Sequence, residues 1–163
     1  MKIYLGLGSN LGNRENHLRT AVASIARNRI QVIRSASIYL TEPRDFAAQP
    51  WFLNTVLEAD TELTPLELLE QCLEIERDAG RVRTMTKGPR EIDIDILFYG
   101  NCVVETSELT VPHSQYAFRR FVLAPLMEIA PGIVDPKLGV LVRVLFDALS
   151  DRSAVTIYGP PLF

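Results

Sequence analysis

Gly88-Pro89-Arg90-Glu91-Ile92-Asp93-Ile94-Asp95-Ile96 is the stretch on which the reading of this chain turns. Isoleucine alternates with aspartate there at the two-residue period of a β-strand, whose successive side chains face opposite ways. Ile92, Ile94 and Ile96 therefore share a face suited to a core, and Asp93 and Asp95 share the other. Two strand positions rise by about 6 to 7 Å, so the carboxylates can converge on a pair of ions roughly 3.5 to 4 Å apart. Magnesium suits them, because it takes hard oxygen ligands and is commonly held by one or two carboxylates together with substrate phosphates. No His or Cys stands nearby in the sequence to favour zinc. A solvated acidic face is the ordinary explanation of such alternation. The basic residues Arg81, Arg83, Lys87 and Arg90 just before the aspartates are the complement a polyphosphate requires, and they tip the reading toward a magnesium-dependent phosphate-transfer site.

Working outward, residues 2–8 alternate Ile3, Leu5 and Leu7 with Tyr4, Gly6 and Gly8, which predicts a strand ending in the turn Ser9-Asn10-Leu11-Gly12-Asn13. Asn13 is a candidate N-cap for a helix over residues 14–27, with Leu18, Ala21, Val22 and Ile25 at helical spacing. Residues 30–39 read as one strand, 42–50 as an irregular loop with two prolines, and 52–60 as another strand. Thr64-Pro65-Leu66-Glu67 combines an N-cap, a first-turn proline and a capping-box glutamate, and Gly80 signals the end of that helix. Residues 92–99 are the strongest strand, with Val103-Val104 a candidate to pair back on it as a hairpin. Helices are expected near residues 125–130 and 140–149. The order predicts an α+β sandwich with a largely antiparallel sheet.

The whole chain sets bounds. Its 163 residues, 47% hydrophobic and 23% charged, suit a single domain over 1–163 with a real core. A net charge of −3 argues against a general nucleic-acid binder. Cys72 and Cys102 lack the neighbours of a zinc site or redox pair. No apolar run approaches the roughly 18 residues of a membrane span, and Met1-Lys2-Ile3-Tyr4 opens without a signal-peptide layout, so a cytoplasmic location is expected.

Other residues carry weaker signals. Glu76 lies near the apolar stripe Leu66, Leu69, Leu73 of its helix, and a salt bridge to Arg81 explains it as well as a role in the site does. The run Gly6-Leu7-Gly8-Ser9-Asn10-Leu11-Gly12 has Leu11 where a dinucleotide fingerprint needs glycine, and lacks the Gly-Lys-Ser/Thr of a P-loop. A tight strand-to-helix turn is the favoured reading of it. Phe52 and Asn54 share a strand face and suit a flat heterocycle, though a core aromatic beside a surface amide is commoner. His113, Arg119 and Phe121 add an imidazole, a cation and a ring, each more often structural when taken singly.

Together these motifs, with Ile75-Glu76, Gly80-Arg81-Val82-Arg83 and Val111-Pro112-His113, resemble the 6-hydroxymethyl-7,8-dihydropterin pyrophosphokinase family of folate biosynthesis. The resemblance covers about residues 2–150 and is most specific from Gly88 to Asp95. It implies a ferredoxin-like α/β sandwich that transfers diphosphate from ATP to the hydroxymethyl group of the reduced pterin, releasing AMP. By the same resemblance Asp93 and Asp95 would hold two Mg²⁺ ions, and Arg81 and Arg90 would stabilise phosphate charge beside them as catalytic residues. Thr41, Pro43, Phe52, Asn54 and Phe121 would serve the pterin, while Glu76, Arg83, Ile96, His113 and Arg119 would join both arginines around ATP. The implied partners are those two small molecules, acting on a monomer with no nucleic acid and no membrane.

Two departures concern the ATP side. The loop Thr84-Met85-Thr86-Lys87 is shorter than in familiar members, with Lys87 where some carry tryptophan, and Ser114 follows His113 where some have an aromatic. Two other functions use the same residues: a metal-dependent phosphohydrolase, for which the aromatic and amide pair has no purpose, and a non-catalytic pterin or nucleotide binder, for which the metal pair has none.

Overall fold

The computed structural model describes residues 1–44, 48–80 and 89–163. Its frame is a strand-helix-strand unit repeated. Strand β1 (Lys2–Ser9) leads through helix α1 (Arg14–Ala26) to β2 (Ile30–Ser35) and β3 (Ile38–Thr41). Strand β4 (Phe52–Thr61) leads through α2 (Pro65–Asp78) to β5 (Asp93–Tyr99). The strands interleave in the order β5-β1-β4-β3, with β2 also pairing with β4, and every pairing is antiparallel. This is the expected ferredoxin-like arrangement.

Local chemistry sets the helix starts. Asn13 accepts a hydrogen bond from the Asn16 amide at 3.1 Å, and the Thr64/Glu67 capping box is complete. Gly12 and Gly80, next to those two helices, both take positive φ, which glycine adopts without strain. Leu18, Val22 and Ile25 of α1 and Leu68, Cys72 and Ile75 of α2 then bury against Ile3, Leu5, Leu7 and Leu57.

The opposite sheet face is covered in part. Helix α3 (Arg120–Ile129) and the short α4 (Val142–Asp147) pack over Tyr4, Val56, Leu97 and Phe98. Glu128 fastens α3 to the sheet, accepting from the Tyr39 hydroxyl at 2.5 Å and from the Ser37 amide and hydroxyl at 3.0 and 2.9 Å.

Two expectations change, and the C-terminal tail adds an element. The strand expected over residues 30–39 divides into β2 and β3, because Ala36 turns its amide to the Val56 carbonyl. Val104 does not return to β5; β6 (Val104–Glu105) pairs with β7 (Thr110–Val111) in a separate two-stranded sheet. The C-terminal tail supplies a strand, β8 (Val155–Gly159), beside β3, and the Ser35 hydroxyl oxygen accepts from the Leu162 and Phe163 amides. Among the described residues no helix is long and apolar enough to cross a membrane.

Candidate active site

Antiparallel register places Gly8 opposite Asp93 on one side of β1 and opposite Asn54 on the other, with Gly6 opposite Asp95. Where α3 stops covering the sheet, this end of it becomes the floor of a cleft of about 450 Å³, a normal size for a small-molecule site. Glycine keeps the floor low. A Cβ at Gly8 would collide with Asn54 Oδ1. Two glycines at i and i+2 inside a strand pattern mark a close approach of backbone to something else. The turn reading of the glycine run holds for Gly12 only.

At one end of the cleft, Asn54 donates from Nδ2 to Thr41 Oγ1 at 2.7 Å, which fixes the amide beside Phe52. The Arg90 guanidinium lies 5.1 Å over the Phe52 ring, and its Nε is 3.4 Å from Asp93 Oδ2. Buried Asn10 holds this corner in place. Its Oδ1 accepts from the Arg90 amide at 2.9 Å, and its Nδ2 donates to Gln49 Oε1 and the Pro50 carbonyl, both at 2.9 Å. The sequence marks Asn10 only as a turn residue, because this three-way tie depends on partners some 40 and 80 positions away.

At the other end, His113 Nε2 lies 3.8 Å from Asp95 Oδ1. Its Nδ1 accepts from the Gln115 amide at 3.1 Å, so in the neutral ring the proton is assigned to Nε2, facing the cleft. Burial and the nearby Arg119 charge hold the imidazole down to about 4, so it is neutral at pH 7. The histidine absent from the local sequence is thus supplied by the fold. Arg119 sits 5.7 Å over Phe121 at the start of α3, and both line the cleft. Ile94 and Ile96 line it from the other face of the edge strand β5, beside Leu69 and Leu73 of α2, and Glu108 to Thr110 complete that side.

Glu76 is 2% exposed, and its Oε1 accepts from the Ile94 amide at 2.8 Å, tying α2 to the strand that carries both aspartates. Asp95 keeps a third of its side-chain surface open to the cleft. Burial in the cleft, then the Asp93 charge, push its carboxyl well above the usual range, against the pull of Arg119 and Arg90. Two crowded carboxylates held this way favour a bound cation. Among the described residues, no group of three or more His, Cys, Asp or Glu side chains is placed to hold a metal ion. Protein donors at this point are therefore the two carboxylates, a set that fits magnesium completed by water and phosphate oxygens.

Most of the residues singled out in the sequence meet in this one cleft. Pro43 does not line it, although its neighbours Thr41, Glu42 and Arg44 do. Arg81, Arg83 and the loop at 84–87 lie outside the described residues.

The family model described as 7,8-dihydro-6-hydroxymethylpterin-pyrophosphokinase (HPPK) matches residues 4–131. The chain is 47% identical over 134 residues to the 2-amino-4-hydroxy-6-hydroxymethyldihydropteridine pyrophosphokinase of Methylorubrum extorquens, covering 82% of this chain and 85% of that one. It is 41% identical over 134 residues to the folic acid synthesis protein fol1 of Schizosaccharomyces pombe, covering 82% of this chain and 18% of that one. It thus spans about a fifth of the fungal protein's length. The HPPK-DHPS of Plasmodium falciparum, solved with pteroate, superposes with a TM-score of 0.71 at 14% identity over 90% of this chain and 44% of that one, a likeness of fold alone. The match over most of the chain, reaching the strand that carries Asp93 and Asp95, places it in a family: the chain belongs to the 7,8-dihydro-6-hydroxymethylpterin-pyrophosphokinase family.

Proposed function

We propose that this chain transfers the β,γ-diphosphate of ATP to the hydroxymethyl group of 6-hydroxymethyl-7,8-dihydropterin, giving AMP and the pterin diphosphate for folate biosynthesis. The observation that carries this reading is the position of Asp93 and Asp95 between two unlike ends of one cleft. Arg90 links Asp93 to the aromatic and amide end at Phe52 and Asn54. His113 and Arg119 stand by Asp95.

The chemistry asks mainly for positioning and charge stabilisation. The pterin hydroxyl oxygen forms a bond to the β-phosphorus, the bond from that phosphorus to the α,β-bridging oxygen breaks, and AMP leaves with that oxygen. The hydroxyl proton is released. Asn54, held by Thr41, offers its remaining amide atoms to the pterin edge, and Phe52 and Phe121 offer ring faces to the heterocycle. Arg90 has little freedom between Phe52 and Asp93, so its charge needs no reorganisation as the phosphate charge shifts. Neutral His113 offers an Nε2 proton, and Arg119 a cation, to the nucleotide phosphates. Ile96 and the α2 leucines offer apolar surface to the nucleotide. Glu76 acts through Ile94 by fixing the height of β5. Asp93 and Asp95 would hold Mg²⁺, two ions by the family resemblance, which when bound neutralises phosphate charge.

The test is to identify the nucleotide product when purified protein is given ATP, Mg²⁺ and the reduced hydroxymethylpterin. AMP that appears only with the pterin supports the proposal. ADP would make the protein an ordinary kinase, pterin-independent AMP with free diphosphate would make it a hydrolase, and no turnover would leave a binding protein.

A further inference from the structure

Asp151 lies beyond residues 4–131 that match the family model, and it sits behind the wall of the cleft, against the lining residue Arg44. Its side chain is 7% exposed. Oδ1 accepts from the Ser153 amide at 2.9 Å and hydroxyl at 2.5 Å. Oδ2 faces two elements of the site: it accepts from the Arg120 amide in the first turn of α3 at 3.0 Å, and Arg44 Nη1 is 3.4 Å away. Arg44 also donates to the Phe118 carbonyl, just before α3. These bonds hold the carboxyl of Asp151 below its usual range, against its burial.

The adjoining backbone is tied to the segment that carries Arg44. The Glu42 amide donates to the Ala154 carbonyl at 3.1 Å, the Ala154 amide donates to Glu42 Oε1 at 2.6 Å, and Thr41 pairs with Val155 across β3 and β8. The strip from Asp151 to Val155 therefore runs between the Thr41 to Arg44 wall and the start of α3. Thr41 holds Asn54 from the first of these, and the second carries Arg119 and Phe121. Without Asp151, Arg44 keeps the neutral Phe118 carbonyl as its acceptor among the described residues, and the first turn of α3 loses an acceptor at its positive end.

We propose that Asp151 is a positioning residue for the pterin end of the cleft, latching Arg44 to the first turn of α3 and so setting the spacing between Asn54 and Phe121. The proposal rests on the function given above for the identity of the ligand. It concerns a segment beyond the residues that match the family model and a residue that does not line the cleft.

The test is steady-state kinetics of the full chain with each substrate varied. Asp151→Ala raises the KM for the reduced hydroxymethylpterin about tenfold and leaves the KM for ATP within about twofold. Asp151→Asn, which keeps one acceptor oxygen, enough for Ser153 or for the Arg120 amide, but loses the charge facing Arg44, gives a smaller rise and covers the case in which the alanine variant does not fold. In an Arg44→Ala background, Asp151→Ala adds less than about threefold, because the shared contact is already gone. Ser35→Ala, which loosens the Leu162 and Phe163 anchor instead, leaves the pterin KM unchanged. Equal rises in both KM values, independent effects of Arg44 and Asp151, or the same pterin shift from Ser35→Ala would each overturn the latch. A wild-type protein that forms no AMP in response to the pterin overturns the assigned function and the latch's ligand together. An active wild type with unshifted variants overturns the latch alone.

Discussion

The two faces of the central sheet are made by the same strands and end up doing different work. On one, Ile3, Leu5 and Leu7 of β1 and Leu57 of β4 meet α1 and α2 in a continuous core, which Ile94 and Ile96 of the edge strand β5 carry to the rim of the cleft. On the other, the apolar run stops halfway. Tyr4, Val56, Leu97 and Phe98 lie under α3, and beyond them the strands carry Gly8, Asn54, Asp93 and Asp95. A helix finds no apolar stripe to bury on that half, and the three polar side chains there are better served by ligand, ion or water than by a core. The cleft forms where one sheet face departs from its own pattern, while the other face supplies the stability to hold it open.

If that division is right, changes on the open half-face alter catalysis and spare stability. Asp95→Ala should lower turnover roughly a thousandfold, as losing a charge-stabilising group at a transferring phosphate does. In metal-free buffer near pH 7 its thermal midpoint should match or exceed that of the wild type. The sign follows from the raised carboxyl of Asp95: holding it ionised in the fold opposes folding above its unfolded value. A variant that kept full turnover would remove Asp95 from the reaction, and a large drop in midpoint would make it a structural residue.

Gly8→Ala should lower kcat/KM for the pterin roughly tenfold to a hundredfold, because the added methyl displaces the Asn54 amide from Thr41 and small misplacements are costly. An unchanged kcat/KM would mean that the low floor at Gly8 does not matter. On the sealed face, Ile25→Val should cost about 0.5–1.5 kcal/mol of stability in denaturant melts with both KM values unchanged. A shifted KM there would show that the faces are not separable.

The smallest effect concerns the far end of the open face. Burial raises the carboxyl of Glu58, but bonds from Lys2 and Arg34, both at 2.7 Å, outweigh it and leave Glu58 depressed. A depressed carboxyl stabilises the fold above its unfolded value, about 4.3, and that contribution is lost as pH falls through the folded value. The midpoint advantage of wild type over Glu58→Gln should therefore shrink between pH 6 and pH 3, as read by thermal melts. An advantage independent of pH would contradict the ion-pair account.

The sequence was readable to the extent that each face had a local period. The alternation in β1 and β5 and the Thr64 capping box identified their elements from neighbouring residues alone, and the aspartate pair stood out on its strand. What was not legible depends on register and on distant partners. Gly8 matters because β1 lies between Asp93 and Asn54, and Asn10 because it joins Gln49, Pro50 and Arg90. Val104 pairs away from β5, and Asp151 reaches Arg44 across more than a hundred positions. No periodicity within a short window carries those contacts.

The central claim is that the open half-face transfers two phosphoryl groups together to a pterin alcohol. Phosphorus NMR of the wild-type reaction with ATP, Mg²⁺ and the reduced hydroxymethylpterin tests it most directly. AMP and a diphosphate ester of the pterin should rise in equal amounts, with no free diphosphate. ADP beside a pterin monophosphate, or AMP beside free diphosphate, would contradict it.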